Sequence, residues 1–427
     1  MAFQLFADNF KGFFDTRVPL TTANFLVGEN STGKTAILSL FTLLAGSDLL
    51  MRPVGDSDFQ GLGHFEDIAH TSERKRTQFT VGITSDSSRD GSPVGYFLTF
   101  SGFRGQARLR RCIYRYRNFE IALECGSHVA YRFREAKPCR EPLELFREMR
   151  KDWVGAGGEE SSGDFKRLGP TRAAPLGALL AVALHTATSG KTDGAWQFNW
   201  GGLGPEVVSF APIRSQPKRT YDESSLPFSP EGSHTPYLIR RMLRSRKQRE
   251  KLTGALAKIG AASGLFEGVK TPSFGSGAGS RFELDVLLSG RARNVLNVGY
   301  GVSQVLPIIV ELVSRPHGAT FAIQEPEIHL HPRAQAAFGD LLFEMATKEH
   351  KSFLVETHSD YLVDRFRLNY RGTGEPPGGQ VLFFRSEGGR NTVTSLQFTR
   401  DGELPSEQPK AFRDFFVREE MRILGIS

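Results

Sequence analysis

The chain has 427 residues, 39% hydrophobic and 24% charged, enough to fill more than one hydrophobic core and too apolar for wholesale disorder. Its formal charge of +7 favours anionic partners such as nucleotide, nucleic acid or an acidic protein face, without choosing among them. No run approaches the roughly 18 uncharged apolar residues of a membrane span, no secretion-signal pattern opens the chain, and Cys112, Cys125 and Cys139 have neither zinc nor disulfide spacing, so a cytoplasmic protein without membrane contact is expected.

Residues Phe3 to Leu20 alternate as a strand pair turning around Asn9-Phe10-Lys11-Gly12, and Asn24 to Val27 is a short apolar run of the buried-strand kind. Gly28 to Gly33 then reads as a tight loop. From Lys34, the apolar residues Ile37, Leu38, Leu40, Phe41 and Leu44 recur at helical spacing. Between Thr77 and Arg134, runs at 79–83, 96–100, 109–116, 119–123 and 129–133 predict an antiparallel meander. Residues 154–205 are glycine-rich with a helix over 173–187, the pattern of an insertion. Arg240 to Lys251 carries seven Lys/Arg against one Glu on a single predicted helix, with Leu238, Ile239, Met242, Leu243 and Leu252 as its apolar side. A solvated face explains that charge run best, and a nucleic-acid contact is the alternative.

From Phe282 the pattern alternates between strands (283–288, 320–323, 352–355) and helices (303–313, 333–346, 360–368), which implies a parallel sheet with crossover helices. Gln380 to Ile426 reads as two strands and a terminal helix. No heptads or internal repeats are evident, which argues against a coiled-coil arm. The expected division is 1–85 and 282–427 as the two parts of one head, 86–140 as an antiparallel β part, and 141–281 as a helical, glycine-rich insertion.

Gly28-Glu29-Asn30-Ser31-Thr32-Gly33-Lys34-Thr35 matches the G-x-x-x-x-G-K-[ST] phosphate loop. Its glycines let backbone amides, including those of Asn30 and Ser31, curl around phosphate oxygens at a helix N-terminus. Lys34, expected on a solvent-facing loop, supplies positive charge to the terminal phosphates, and the Thr35 hydroxyl is placed to ligand Mg²⁺. Thr320 to Gln324 is an apolar strand running into Glu325-Pro326-Glu327. Glu325 is the candidate for activating or orienting an attacking water, and Gln324 stands where an aspartate would hold hydrated Mg²⁺, so slow hydrolysis is expected. Val298-Gly299-Tyr300-Gly301-Val302-Ser303-Gln304 precedes a helix, with Ser303 as an N-cap facing phosphate or as a simple helix start. His358, at the end of a buried strand, could hydrogen-bond a γ-phosphate or be structural.

Taken as a set, GENSTGKT at 28–35, GYGVSQVLPI at 299–308, EPEIHLHP at 325–332 and ETHSDYL at 356–362 follow the layout of ABC-type ATPases. The sequence resembles the branch containing SMC, RecF-type and overcoming-lysogenization-defect ATPases, and more narrowly the short bacterial AAA ATPases of anti-phage systems such as Septu. The resemblance covers roughly 1–85 and 282–427. It implies an α/β P-loop NTPase fold of the ABC-ATPase type, with a parallel core sheet, an antiparallel β lobe and a helical insertion, using ATP and Mg²⁺. It also implies a head-to-tail dimer clasping ATP, in which Gly301, Ser303 and Gln304 contact the partner's nucleotide and His358 senses the γ-phosphate. His331-Pro332 belongs to the loop after the acidic strand, and His329 and His331 read as structural rather than as metal ligands. A Mg²⁺-contacting glutamine usually follows the first helix in such folds, leaving Gln60 and Gln78 as candidates. The chain past His358 is too short for the nuclease domain that larger relatives append, so a separate nuclease or toxin partner is expected. A nucleic-acid-gripping repair ATPase and a slow or non-hydrolysing nucleotide scaffold are the alternatives.

Overall fold

The computed structural model describes residues 3–46, 48–51, 53, 63–69, 78–86, 92–155, 165–169, 174–188, 207–222, 226–274 and 281–412. The chain forms two compact units. One comprises Met1–Thr21, Gly28–Val207 and Leu382–Ser395, the other Thr22–Val27, Val208–Val381 and Leu396–Ser427. The boundary at 207/208 falls inside the 141–281 segment expected from the sequence.

The first unit is organised by an antiparallel sheet of eight strands among the described residues. Its strands are β1 (Phe3–Asp8), β2 (Thr16–Leu20), β4 (Gln78–Ser85), β5 (Val94–Phe103), β6 (Gln106–Tyr116), β7 (Phe119–Cys125), β8 (Val129–Glu135) and β9 (Lys166–Gly169), in the order β2-β1-β4-β5-β6-β7-β8-β9. The β4 to β8 meander follows the alternation of the sequence, while β9 pairs with β8 in a stretch read only as insertion. Helix α1 (Lys34–Ala45) follows β3 (Ala23–Gly28), single-turn helices α2 (Asp48–Met51) and α3 (Phe65–Ile68) come next, and α4 (Pro142–Gly155) and α5 (Leu176–Thr188) come later. Neighbouring strand residues point to opposite faces, and β5 shows the consequence. The Tyr96 hydroxyl donates to the Leu44 carbonyl of α1, whereas Phe97 joins Phe6, Ile113 and Ala122 in a core closed by Leu145, Phe146 and Met149 of α4. Phe6 and Phe97 stack at 5.1 Å.

The second unit begins with β10 (Val207–Phe210) and continues with α6 (Thr235–Arg244), α7 (Arg246–Ser263) and the short strands β11 (Gly268–Lys270), β12 (Ser273–Phe274), β13 (Arg281–Phe282), β14 (Asp285–Leu288) and β15 (Arg291–Asn294). Then come α8 (Tyr300–Ser314), β16 (Thr320–Gln324), α9 (Pro332–Lys348), β17 (Ser352–Glu356) and α10 (Asp360–Leu368); β18 (Gly379–Glu387) and β19 (Arg390–Gln397) follow in the chain, their Leu382–Ser395 stretch belonging to the first unit. The sheet order is β10-β16-β17-β3-β18-β19, with β16, β17 and β3 parallel. The apolar runs Thr320 to Ile323 and Ser352 to Val355 are buried throughout, as strands covered on both faces must be.

Arg240 to Lys251 is not one helix: Ser245 is extended (φ −94°, ψ 124°), ending α6 and opening α7. Nor is its charge wholly solvated, because Arg240 is buried, donating to Ser273 Oγ at 3.0 Å with its guanidinium 4.4 Å from the Phe282 ring centre. On α7, Lys251 pairs with Glu349 and Lys258 with Glu344 of α9. The strand expected over 283–288 is shorter, Asp285–Leu288 (β14), and pairs antiparallel with β11 and β15 in a separate sheet instead of joining the parallel one. The predicted terminal helix lies mostly outside the described residues.

Candidate functional site

The phosphate loop is shaped by backbone geometry. Gly28, the last residue of β3, has φ 149°, and a Cβ there would stand 2.3 Å from the Phe384 carbonyl oxygen. Gly33 has φ 92°, and its Cβ would stand 2.5 Å from the Phe13 ring. Both positions therefore require glycine for conformation and for space. Ser31 also takes a positive φ of 64°, and the Thr32 hydroxyl closes the turn onto the Glu29 carbonyl at 2.8 Å. Lys34 departs from the solvent-facing position expected of it: it is 4% exposed, and its ammonium donates to the carbonyls of Gly28 at 2.8 Å and Glu29 at 2.7 Å. The loop curls around its own cation.

Glu29, Asn30, Ser31 and Thr35 remain exposed. Helix α1 has Gly33 as N-cap, no side-chain cap and no acidic residue in its first turn. That helix start, with Lys34 in its first turn and no acidic side chain beside it, suits an anion that supplies oxygens, as a phosphate chain does. Gln78 opens β4 with an exposed side chain, and Gln60 lies outside the described residues.

In the second unit the chemistry sits at strand ends. Gln324 is in register with Glu356, and Glu356 with Leu26 of β3, so these parallel strands deliver their carboxyl ends to one sheet edge, where ligands of open α/β sheets bind. Immediately after β16, Glu325 adopts φ 42°, a left-handed conformation costing about 1 kcal/mol for a non-glycine residue. Its N–H donates to the Glu356 carbonyl at 2.8 Å. Its part-exposed carboxylate lies 3.9 Å from His358 Nε2, so the two expected catalytic residues meet across adjacent strand ends.

Glu327 is deeper. Its carboxylate accepts the His358 backbone N–H at 2.6 Å, and burial pushes it above the usual carboxylate range although that N–H and the Thr357 hydroxyl pull the other way. Behind both carboxylates is Arg214, 3% exposed, which donates to the carbonyls of Gln324 at 2.8 Å and Glu325 at 3.4 Å. Burial lowers Arg214 to about 10, opposed by the charges of Glu327 and Glu325.

Ser303 is not an N-cap. Helix α8 starts at Tyr300 with Gly299 as cap, and Ser303, one turn in, donates to the Tyr300 carbonyl at 2.8 Å. It also lines a cleft of about 80 Å³ with Lys218, Tyr221, Tyr237 and Leu306. Gly301 and Gln304 are buried, and a Cβ on Gly301 would stand 2.6 Å from the His329 carbonyl oxygen. Of the three expected trans contacts, Ser303 alone offers a side chain to solvent. His331 caps α9, its Nδ1 accepting from Ala334 N–H at 3.3 Å, and His329 lies at φ 62° with its ring 5.6 Å from Tyr300.

Further back, α8 is tied to the segment before α6. Glu311 pairs with His234 at 2.6 Å and with Arg315 at 2.5 Å. His234 Nδ1 accepts the Ser229 N–H at 3.1 Å, so Nε2 carries the proton donated to Glu311. Burial pushes Glu311 up, but the hydrogen bonds from His234 and Arg315 outweigh it and hold the carboxyl below its ordinary range.

A glycine-lysine loop closes β3 and opens α1, and the strand ending in acidic residues is separated from β3 by the strand that leads to His358. The fold is that of a P-loop NTPase of the ABC-ATPase type. A family model described as "AAA domain, putative AbiEii toxin, Type IV TA system" matches residues 208–364, a span that takes in β10, Arg214, α8, the acidic strand and His358. No curated protein matches the chain. Among solved structures it is similar to the SMC head domain from Thermotoga maritima, at 11% identity and TM-score 0.42 over 92% of this chain and 98% of that one. It is also similar to the SmcHead bound to the C-winged helix domain of ScpA, at 11% identity and TM-score 0.43 over 92% and 97%. A third likeness is to the Smc head domain with an extended coiled coil bound to the C-terminal domain of ScpA, derived from Pyrococcus furiosus, at 11% and 0.41 over 99% and 100%.

Sequence reasoning passed over Arg214, the role of Glu327 and the His234–Glu311–Arg315 cluster. A signal for Arg214 existed in the alternating Val207 to Phe210 run broken by Pro212. For the cluster there was none, since His234 and Glu311 are remote in sequence.

Proposed function

We propose that this P-loop NTPase binds and hydrolyses ATP, and that Glu325 and His358 carry the chemical step. The observation that supports this most is their 3.9 Å approach at the ends of parallel strands, one of which is the neighbour of the strand that runs into the phosphate loop. Gly28, Asn30, Ser31, Gly33 and Lys34 hold the phosphate chain. Glu325 orients the attacking water and accepts its proton, and His358 donates to the γ-phosphate. The exposed Thr35 hydroxyl and the Gln324 amide have the hard oxygen donors that suit hydrated Mg²⁺, which would neutralise phosphate charge. A neutral amide holds the ion less firmly than a carboxylate, so turnover is slow and the ATP-bound state persists.

The working form is a pair of heads clasping ATP, with Ser303 of each completing the nucleotide site of the other. The resemblance to anti-phage ATPases, and the toxin–antitoxin wording of the family matched over 208–364, support a role as the ATPase component of a bacterial defence system that restrains a separate nuclease or toxin. Ser303→Arg tests the clasp. ATP-dependent pairing measured by light scattering is expected to disappear while mononucleotide binding by the monomer stays within about threefold. Unchanged pairing and unchanged turnover would remove the clasp from the account.

A further inference from the structure

We infer that Arg214 is a positioning residue for the catalytic carboxylate: from behind the sheet edge it fixes the backbone turn that aims Glu325. This rests on the reading of Glu325 as the residue that orients water. A guanidinium at 3% exposure has lost nearly all of its hydration, and a buried charge is tolerated only where fixed partners replace the water. The partners here are two consecutive peptide carbonyls, those of Gln324 and Glu325, held by the two arms of one planar group. The third nitrogen, Nε, makes no hydrogen bond among the described residues. The side chain is therefore spent on the last residue of β16 and the first beyond it.

Those are the two peptides at which the chain leaves the strand. Glu325 is left-handed at φ 42°, and its N–H is turned onto Glu356 of the next strand. A non-glycine residue keeps such a conformation only where its surroundings over-determine it. The Glu356 carbonyl holds one side of the Glu325 peptide, and the Arg214 fork holds the carbonyls on the other. With both in place the carboxylate comes to His358. Lysine can reach one carbonyl but lacks the rigid fork that spans two.

The test compares Arg214→Met and Arg214→Lys with the wild type by hydrogen–deuterium exchange on the nucleotide-free protein and by steady-state phosphate release. Arg214→Met is expected to speed exchange at 324–328 by roughly tenfold or more, with 320–323 and 352–356 unchanged. It is expected to lower kcat by about 30-fold or more with KM for ATP within about threefold. Arg214→Lys, which keeps the charge and one bond, is expected to recover part of both and serves as the comparison if the methionine variant does not fold. Wild-type exchange at 324–328, or a fall confined to nucleotide affinity, overturns the inference. If the wild-type chain binds ATP but does not hydrolyse it, the reading of Glu325 fails, while the exchange comparison still decides whether Arg214 fixes the turn.

Discussion

The phosphate loop and the acidic strand ends reach their geometry by opposite means. In the loop, the determinants are local: two glycines that no other residue can replace, and a lysine whose ammonium returns to carbonyls five and six residues before it. At the strand ends, the determinants are distant. Glu325 is held by Glu356 of a neighbouring strand and by Arg214, 111 residues earlier, and α8 is tied down by His234, 77 residues before Glu311. A locally built site should fail through its own residues and lose ligand affinity. A remotely built one should fail through its supports and lose rate or stability first.

The largest expected effect lies in the loop. Lys34→Ala removes a charge that a phosphate would engage, and one charge-assisted interaction of about 2–3 kcal/mol corresponds to roughly 30- to 150-fold in affinity for ATP by calorimetric titration. The same change deletes two bonds that close the loop, so a loss of about 1 kcal/mol in stability accompanies it. Near-normal ATP affinity in this variant would break the contrast at its stronger end.

A smaller effect, and one on stability rather than affinity, is expected from the distant supports. Glu311→Gln leaves Arg315 and His234 without their shared carboxylate and should destabilise the fold by about 2 kcal/mol near neutral pH, by denaturant titration. The pH dependence has a definite sign. The folded pKa of Glu311 lies below its ordinary value of 4.5, so its contribution is fully present above that value and is lost as the pH falls through the depressed one. The gap between wild type and Glu311→Gln should therefore narrow below about pH 4. A gap that stays constant from neutral pH into that range would mean the charge on Glu311 is not what stabilises the cluster.

The same contrast explains what could be read from the sequence. The loop, α1, the β4 to β8 meander and the alternation after Phe282 were legible because glycine spacing and apolar periodicity are local properties, and α10 appears at the bounds its pattern gives. The break at Ser245 was hidden because Arg240 looked like part of a charged face, although stacking on Phe282 buries it. Ser303 reads as a cap or a helix start because its segment precedes an apolar helical pattern, whereas the helix begins three residues earlier, at Tyr300 with Gly299 as its cap. That Arg214 would stand behind Glu325 depends on residues brought together only by folding.

Glu325 is proposed to carry hydrolysis of an ATP whose phosphates the 28–35 loop binds. Steady-state phosphate release from wild type and Glu325→Gln at saturating Mg²⁺ and ATP, alongside ATP affinity by titration, tests it most directly. The expected result is a fall of roughly 100-fold or more in rate with affinity within about threefold. Hydrolysis by Glu325→Gln at the wild-type rate, or tight ATP binding by a wild-type chain that never releases phosphate, would contradict it.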